Sequence, residues 1–158
     1  MSIHVPAKRV FRDPVLFAAF GFGSGLAPRA PGTFGTVAAL ALFPLLPSDP
    51  LAYAIAVFVA LVVGIPLCGA ASSRLGVHDH GGIVWDEFVG LWIALFMLPD
   101  GWVWWVFGFA LFRVFDIVKP WPIGWLDRRV QGGWGIMVDD VIAGLFAWVV
   151  LQATALLF

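Results

Sequence analysis

The chain is short of charge. Lys, Arg, Asp and Glu together make up 12% of its 158 residues, and the formal net charge is -1. Without a basic excess it lacks the electrostatic footprint that nucleic acid demands, a surface of clustered Lys and Arg. A single cysteine, Cys68, excludes an internal disulfide and any metal site built from several cysteines. No internal repeat and no low-complexity linker divides the chain. The basic opening MSIHVPAKRVFRDP leads into a short apolar run, residues 15–20, and then into glycines without an A-x-A-like site, so no cleaved signal peptide is expected. The reading is one domain, residues 15–158, behind a basic N-terminal arm, residues 1–14.

Apolar matter is what the chain has in excess. Hydrophobic residues make up 61%, with nine Trp and fifteen Phe, and the mean hydropathy is +0.96. Such a composition lies outside that of ordinary soluble domains and belongs in a membrane. No charge occurs in residues 30–48, 50–73 or 141–158. A helix needs about 20 apolar residues to cross a bilayer core, and residues 51–71 meet that length directly.

The charges that remain are placed unevenly. Two acidic turns, PSDP and PDG, interrupt apolar segments and carry no Lys or Arg. With a cytoplasmic N-terminus the chain goes out through residues 33–47 and returns through 51–71, which leaves Arg74 in the cytoplasm. The runs 88–98 and 102–112 are short, each about 17 Å as helix, or half a bilayer core. They read as a helical hairpin turning at PDG, or as two steeply packed helices, after which residues 141–158 cross once more. The expectation is an all-α, compact integral-membrane helical bundle with about three full spans plus a short helical hairpin. All nine basic residues and eight of the ten acidic ones then gather on the cytoplasmic face.

Three polar clusters break the apolar pattern on that face. VHDHGGIVWDEFVG carries Asp86 and Glu87. FRVFDIVKPWP repeats Arg113, Asp116 and Lys119 every three residues, on roughly one helical face. GGWGIMVDDVIAG brings Asp139 and Asp140, which are expected to open the last apolar helix. Carboxylates at membrane depth are costly and mark function, although Asp also caps helices. Helix ends alone do not require both signs of charge in three separate loops. A hard ion such as Mg²⁺ binds through one or two carboxylates and substrate phosphate oxygens, while Arg113 and Lys119 suit the phosphate itself. That pattern describes metal-assisted phosphoryl chemistry.

Other features are weighed against that reading. The loop GFGSGLAPRAPGTFGT offers Ser24, Thr33 and Thr36 beside Arg29, either to cradle a phosphate headgroup or as a plain helix connector. His78 and His80 flank Asp79 and are expected in a hydrogen-bonded loop rather than on a transition metal. CGAASSR has the spacing of a cysteine-phosphatase loop, but it closes a long apolar run, so Cys68 is expected in helix packing.

Taken in order, GFGSGLAPRAPGTFG, VHDHGGIVWDEFVG, FRVFDIVKPWPIGWLDRRVQGGWGIMVDD and the final apolar helix resemble the bacterial phosphatidylglycerophosphatase A family, from about residue 20 to the end. The resemblance implies an all-helical, Mg²⁺-dependent, multi-pass phosphatase of the bacterial cytoplasmic (inner) membrane. Its substrate would be the lipid phosphatidylglycerophosphate, and its products phosphatidylglycerol and phosphate. It assigns metal and catalytic roles to Asp86, Glu87, Asp139 and Asp140, and adds Asp116 and Lys119 from FDIVKPWP. The mechanism expected on that basis has Arg113, Lys119 and Arg29 binding phosphate oxygens. Asp116 or Asp127 then activates water or protonates the leaving group. Two other classes fit the pattern less well: a small transporter or ion-binding membrane protein, which would want polar groups near mid-span, and a phosphatidyl transferase, whose DG-x2-AR pattern is missing. The sequence pattern assigns no oligomeric state.

Overall fold

Every secondary-structure element among the described residues, 5–157 of the computed structural model, is helical. Residues 1–4 of the N-terminal arm, and residue 158, lie outside the described residues. In order, the helices are α1 (Ala7–Arg12), α2 (Pro14–Ala19), a 3-10 segment (Gly21–Leu26), α3 (Pro31–Leu42), α4 (Pro50–Leu75), α5 (Trp85–Ala94), α6 (Trp102–Val118), α7 (Ile123–Asp127) and α8 (Gly132–Ala155).

Local chemistry sets the longest of these. Asp49 caps α4 by accepting the Ala52 N–H at 2.8 Å, Pro50 fills the first position, and Gly76, with φ +69°, ends it. At 1.5 Å per residue α4 is about 39 Å long and α8 about 36 Å. Among the described residues these two helices are long and apolar enough to cross a membrane. The third expected span, residues 33–47, is shorter. α3 has 12 residues, about 18 Å, and gives way to a 3-10 turn at Phe43–Leu45, where Pro44 cannot continue an α-helical ladder.

The short apolar runs take an unexpected place. α5 and α6 are joined through the PDG turn at residues 99–101, and α5 is the axis of the bundle. Phe88, Val89, Gly90, Leu91 and Ala94 are buried, and α3, α4, α6 and α8 all pack on it. A helix that is apolar all round belongs inside. Its partner α6 has 17 residues instead of eleven, because Arg113 and Asp116 do not end the helix; they pair with each other one turn apart within it. Likewise α8 begins at Gly132, so Asp139 and Asp140 stand about two turns inside the last helix instead of opening it.

Aromatic hydrogen bonds pin α5 and its neighbours together. The Tyr53 hydroxyl donates to the Trp92 carbonyl (2.6 Å), the Trp92 indole to Ala39 (3.0 Å) and the Trp85 indole to Ala60 (3.0 Å). Buried N–H and O–H groups with few alternatives need such partners. At the charged end α1 is docked on the body. Val10 is fully buried, Arg9 donates to the Arg74 carbonyl at 2.6 Å, and Arg74 pairs with Asp13.

The backbones of α5 and α8 come into direct contact where the two helices cross. A Cβ placed on Gly90 would lie 2.5 Å from the Phe112 ring and 2.8 Å from the Asp140 carbonyl oxygen. One on Gly144 would press on the Gly90 backbone, with its Cα 3.2 Å away. Only glycine lets the two backbones touch. Gly144→Ala is therefore expected to destabilise the fold by about 1–3 kcal/mol. The check is the midpoint of thermal unfolding in detergent; an unchanged midpoint would mean the crossing has slack.

Candidate active site

Asp86 lies one turn before Gly90, and Asp140 one turn before Gly144, so the glycine crossing brings their side chains to the same level. With Glu87 they form a cluster in which one carboxylate oxygen from each residue lies within 4.8 Å of the others. Asp86 and Glu87 occupy the first turn of α5, where the helix dipole favours negative charge. Asp86 Oδ1 and Glu87 Oε2 are buried and have no hydrogen-bond partner. Buried acceptors of like charge at this spacing are unfavourable unless something positive joins them. The donor set is oxygen only and multiply anionic, which suits a hard divalent cation.

Arg113 closes one side of the cluster. Its guanidinium pairs with Asp116, lies 3.9 Å from Glu87, and donates to the Thr36 hydroxyl at 3.4 Å. Thr36 is fully buried and donates to the Gly32 carbonyl at 2.8 Å. The first turn of α3 is thus a wall of the site: a Cβ on Gly32 would sit 3.4 Å from Arg113 Nη1 and collide with the Glu87 carboxylate. Asp116 also stands against Asp140.

Lys119 closes the other side. Pro120 disfavours a helical conformation at the residue before it, and Lys119 leaves α6 with φ +45°. Its ammonium then reaches Asp139 Oδ2 at 2.6 Å and Asp127 Oδ1 at 3.0 Å. Burial works against the charge on Lys119, but its bonds to Asp139 and then to Asp127 outweigh it and raise its pKa. Lys119 therefore serves as a fixed cation rather than a base. Asp139, expected with the metal ligands, is turned to Lys119, because neighbouring residues on a helix point about 100° apart. Its other oxygen, Oδ1, is buried without a partner.

The glycine loop contributes less than expected. Ser24 spends its hydroxyl on its own turn, donating to the Gly21 carbonyl at 2.8 Å. Arg29 is exposed and enters no ion pair among the described residues, and Thr33 sits on the first turn of α3 without a hydrogen bond to the carboxylates. Gly32 and Thr36 are the residues of that segment which reach the site. No spacing in the sequence separates them from Ser24 and Thr33; the choice depends on how α3 packs on α5. The histidines belong to the loop. His78 Nε2 accepts the Gly132 N–H at 2.9 Å, and His80 Nδ1 accepts that of Gly82 at 3.0 Å. Cys68 lies within α4, fully buried, with its sulfur 3.7 Å from that of Met137; CGAASSR is helix and cannot form a phosphate loop.

A cavity of about 280 Å³ opens at the opposite end, around Phe43, Tyr53, Pro99 and Trp105. Its lining has one charged residue, Asp100, and no cation, so it offers nothing to phosphate.

A buried carboxylate centre with captive cations, beside a thiol enclosed in α4, defines the class: an all-helical protein with an acidic centre at one end. Sequence relatives narrow the class. The profile of the family described as phosphatidylglycerophosphatase A matches residues 17–155. The chain is 47% identical to the phosphatidylglycerophosphatase A of Escherichia coli (strain K12), over 85% of this chain and 80% of that one. It is 44% identical to the protein of the same description from Haemophilus influenzae, over 97% and 96%. A Bacteroides thetaiotaomicron protein described as a candidate phosphatidylinositol-3-phosphatase is 42% identical, over 91% and 94%. The chain belongs to the phosphatidylglycerophosphatase A family. No solved structure matches it.

Two outcomes are expected from this geometry. Cys68→Ala should leave phosphatase turnover unchanged, and Cys68 should resist a water-soluble maleimide until the protein is unfolded, as mass spectrometry would show; rapid labelling of folded protein would contradict its burial. Lys119→Met strands Asp139 and Asp127 without their counterion, and is expected to cost about 1–3 kcal/mol of stability, measured by thermal unfolding, with Lys119→Arg less affected.

Proposed function

We propose that the chain removes the terminal phosphate of phosphatidylglycerophosphate, giving phosphatidylglycerol and inorganic phosphate. The site is the carboxylate centre at one end of a membrane-embedded bundle, and Mg²⁺ is its cation. The observation that carries the reading is the convergence of Asp86, Glu87 and Asp140, with orphaned oxygens, beside Arg113. The relatives named for this activity supply the substrate.

Support for the membrane comes from what the bundle leaves uncovered. Along α4, Leu51, Ile55, Phe58, Val59, Val62 and Val63 are exposed, as are Val103, Val106 and Phe107 on α6 and Leu145, Val149 and Val150 on α8. A soluble protein rarely leaves such continuous apolar faces bare; lipid tails cover them at no cost. The basic residues favour a cytoplasmic charged end, in the bacterial inner membrane where such a lipid phosphate would be met without crossing the bilayer.

Asp86, Glu87 and Asp140 would hold the ion. When bound, Mg²⁺ supplies positive charge against the phosphate oxygens and lowers the pKa of water. Arg113, oriented by Asp116 and Thr36, offers its fork to two phosphate oxygens. Lys119 adds a second fixed positive charge and keeps Asp139 in place. Hydrolysis forms a bond from water oxygen to phosphorus and breaks the bond from phosphorus to the glycerol oxygen, which leaves with a proton. Of the two acids considered for moving that proton, Asp116 stands beside Asp140 and is paired with Arg113, whereas Asp127 is half-exposed and held by Lys119. Asp116 takes the role.

The test is phosphate release from phosphatidylglycerophosphate in micelles by purified protein. Mg²⁺ should support turnover and EDTA abolish it. Asp86→Asn, Glu87→Gln and Asp140→Asn should each lower kcat about 100-fold or more while the protein remains folded, and calorimetric Mg²⁺ binding should weaken in parallel. Undiminished activity in EDTA would remove the metal from the mechanism, and normal turnover by Asp86→Asn would remove the site.

A further inference from the structure

Between α6 and α8 the chain crosses the charged end in residues 119–134. The inner side of this segment is occupied, since Lys119 holds both Asp127 and Asp139. Its outer side is not. Arg128 and Arg129 are exposed, and neither enters an ion pair among the described residues. The Arg129 guanidinium sits 4.7 Å from the centre of the Trp125 ring. The same segment carries Trp121, Trp125 and Trp134, exposed to 81%, 42% and 63%.

Paired arginines without counterions, in one segment with bare indoles, define their partner chemically. It must be anionic, and it must have apolar matter directly behind the charge. Free phosphate would satisfy the arginines and leave the indoles in water; an apolar protein surface would do the reverse. Anionic phospholipid headgroups meet both demands, because indoles settle at the headgroup level and Arg binds phosphate oxygens bidentately. We infer that residues 119–134 form a docking surface for anionic phospholipid headgroups: Arg128 and Arg129 take the phosphodiester, and Trp121, Trp125 and Trp134 lie in the layer beneath. This rests on the membrane-embedded reading above but on neither the metal nor the reaction. Its consequence is that anionic lipid is gathered beside Lys119, at the rim of the site.

The experiment uses nanodiscs in which part of the lipid is brominated phosphatidylglycerol or, in a matched set, brominated phosphatidylcholine. Tryptophan fluorescence is followed in wild type, in Arg128→Gln/Arg129→Gln, and in Trp121→Phe/Trp125→Phe/Trp134→Phe. If the triple variant does not fold, Trp125→Phe alone replaces it. The wild type should be quenched preferentially by the anionic lipid, with an enrichment of about fivefold for each Arg. The preference should vanish in the arginine variant, and the part of the quenching that distinguishes the two lipids should vanish in the tryptophan variant. Equal quenching by both lipids, a preference that survives the arginine variant, or no quenching by either lipid would each overturn the inference, the last pointing to water or a protein on this face. Phosphate release is measured in the same discs. Preferential quenching without turnover would count against the proposed reaction alone, and turnover without the preference against this inference alone.

Discussion

The contact of Gly90 on α5 with Gly144 on α8 brings two helix backbones together. Among apolar surroundings, helices gain little from excluding water and hold to one another by close van der Waals packing. The two glycines permit that packing, and each has a carboxylate one turn away. The distance between Asp86 and Asp140 is therefore a by-product of backbone contact. Buried carboxylates so close would repel each other, and the protein tolerates them because the packing of α5 inside the bundle holds them where they are. The acidic centre and the hydrophobic axis are two ends of one helix.

The cations around that centre share a design. Arg113 is held by Asp116 and Thr36, and Lys119 by Asp127 and Asp139. Neither waits free in solution. A long basic side chain loses much rotamer freedom on binding, and holding it in advance moves that loss to the folding step. Backbone geometry contributes: Pro120 turns Lys119 out of α6 at the position from which it reaches α8. A phosphate entering the site would meet charges already oriented, at one end of a body whose flanks are apolar.

Much of the site was legible from residue types. Asp86, Glu87 and Asp140 stood out because carboxylates are rare in a chain this apolar, and Cys68 could be set aside because its neighbours are apolar. Spacing along the chain was less informative. Asp139 and Asp140 look equivalent in sequence, yet a helix separates them by about 100° and sends one to Lys119 and the other to the cluster. Ser24, Thr33 and Thr36 look equally suited to a phosphate, but Ser24 closes its own turn while Thr36 faces Arg113. The boundaries of α6 and α8 were missed for one reason: polar residues that pair with other side chains can lie inside a helix, whereas a reading of isolated charges places them at its ends.

By itself, the sequence determined the all-helical class, the apolar exterior, the separation of charge from the two acidic turns, and the residue types of the centre. These follow from composition and from local preferences that act over a few residues. Tertiary structure decided that α5 is the axis, which oxygen of which carboxylate faces the cluster, that α3 supplies a wall through Gly32 and Thr36, and that Arg128 and Arg129 remain without counterions. Each of these depends on residues distant in the chain coming within a few ångströms. Such contacts are set by how helix surfaces fit together in three dimensions, and the order of residues carries no direct record of them.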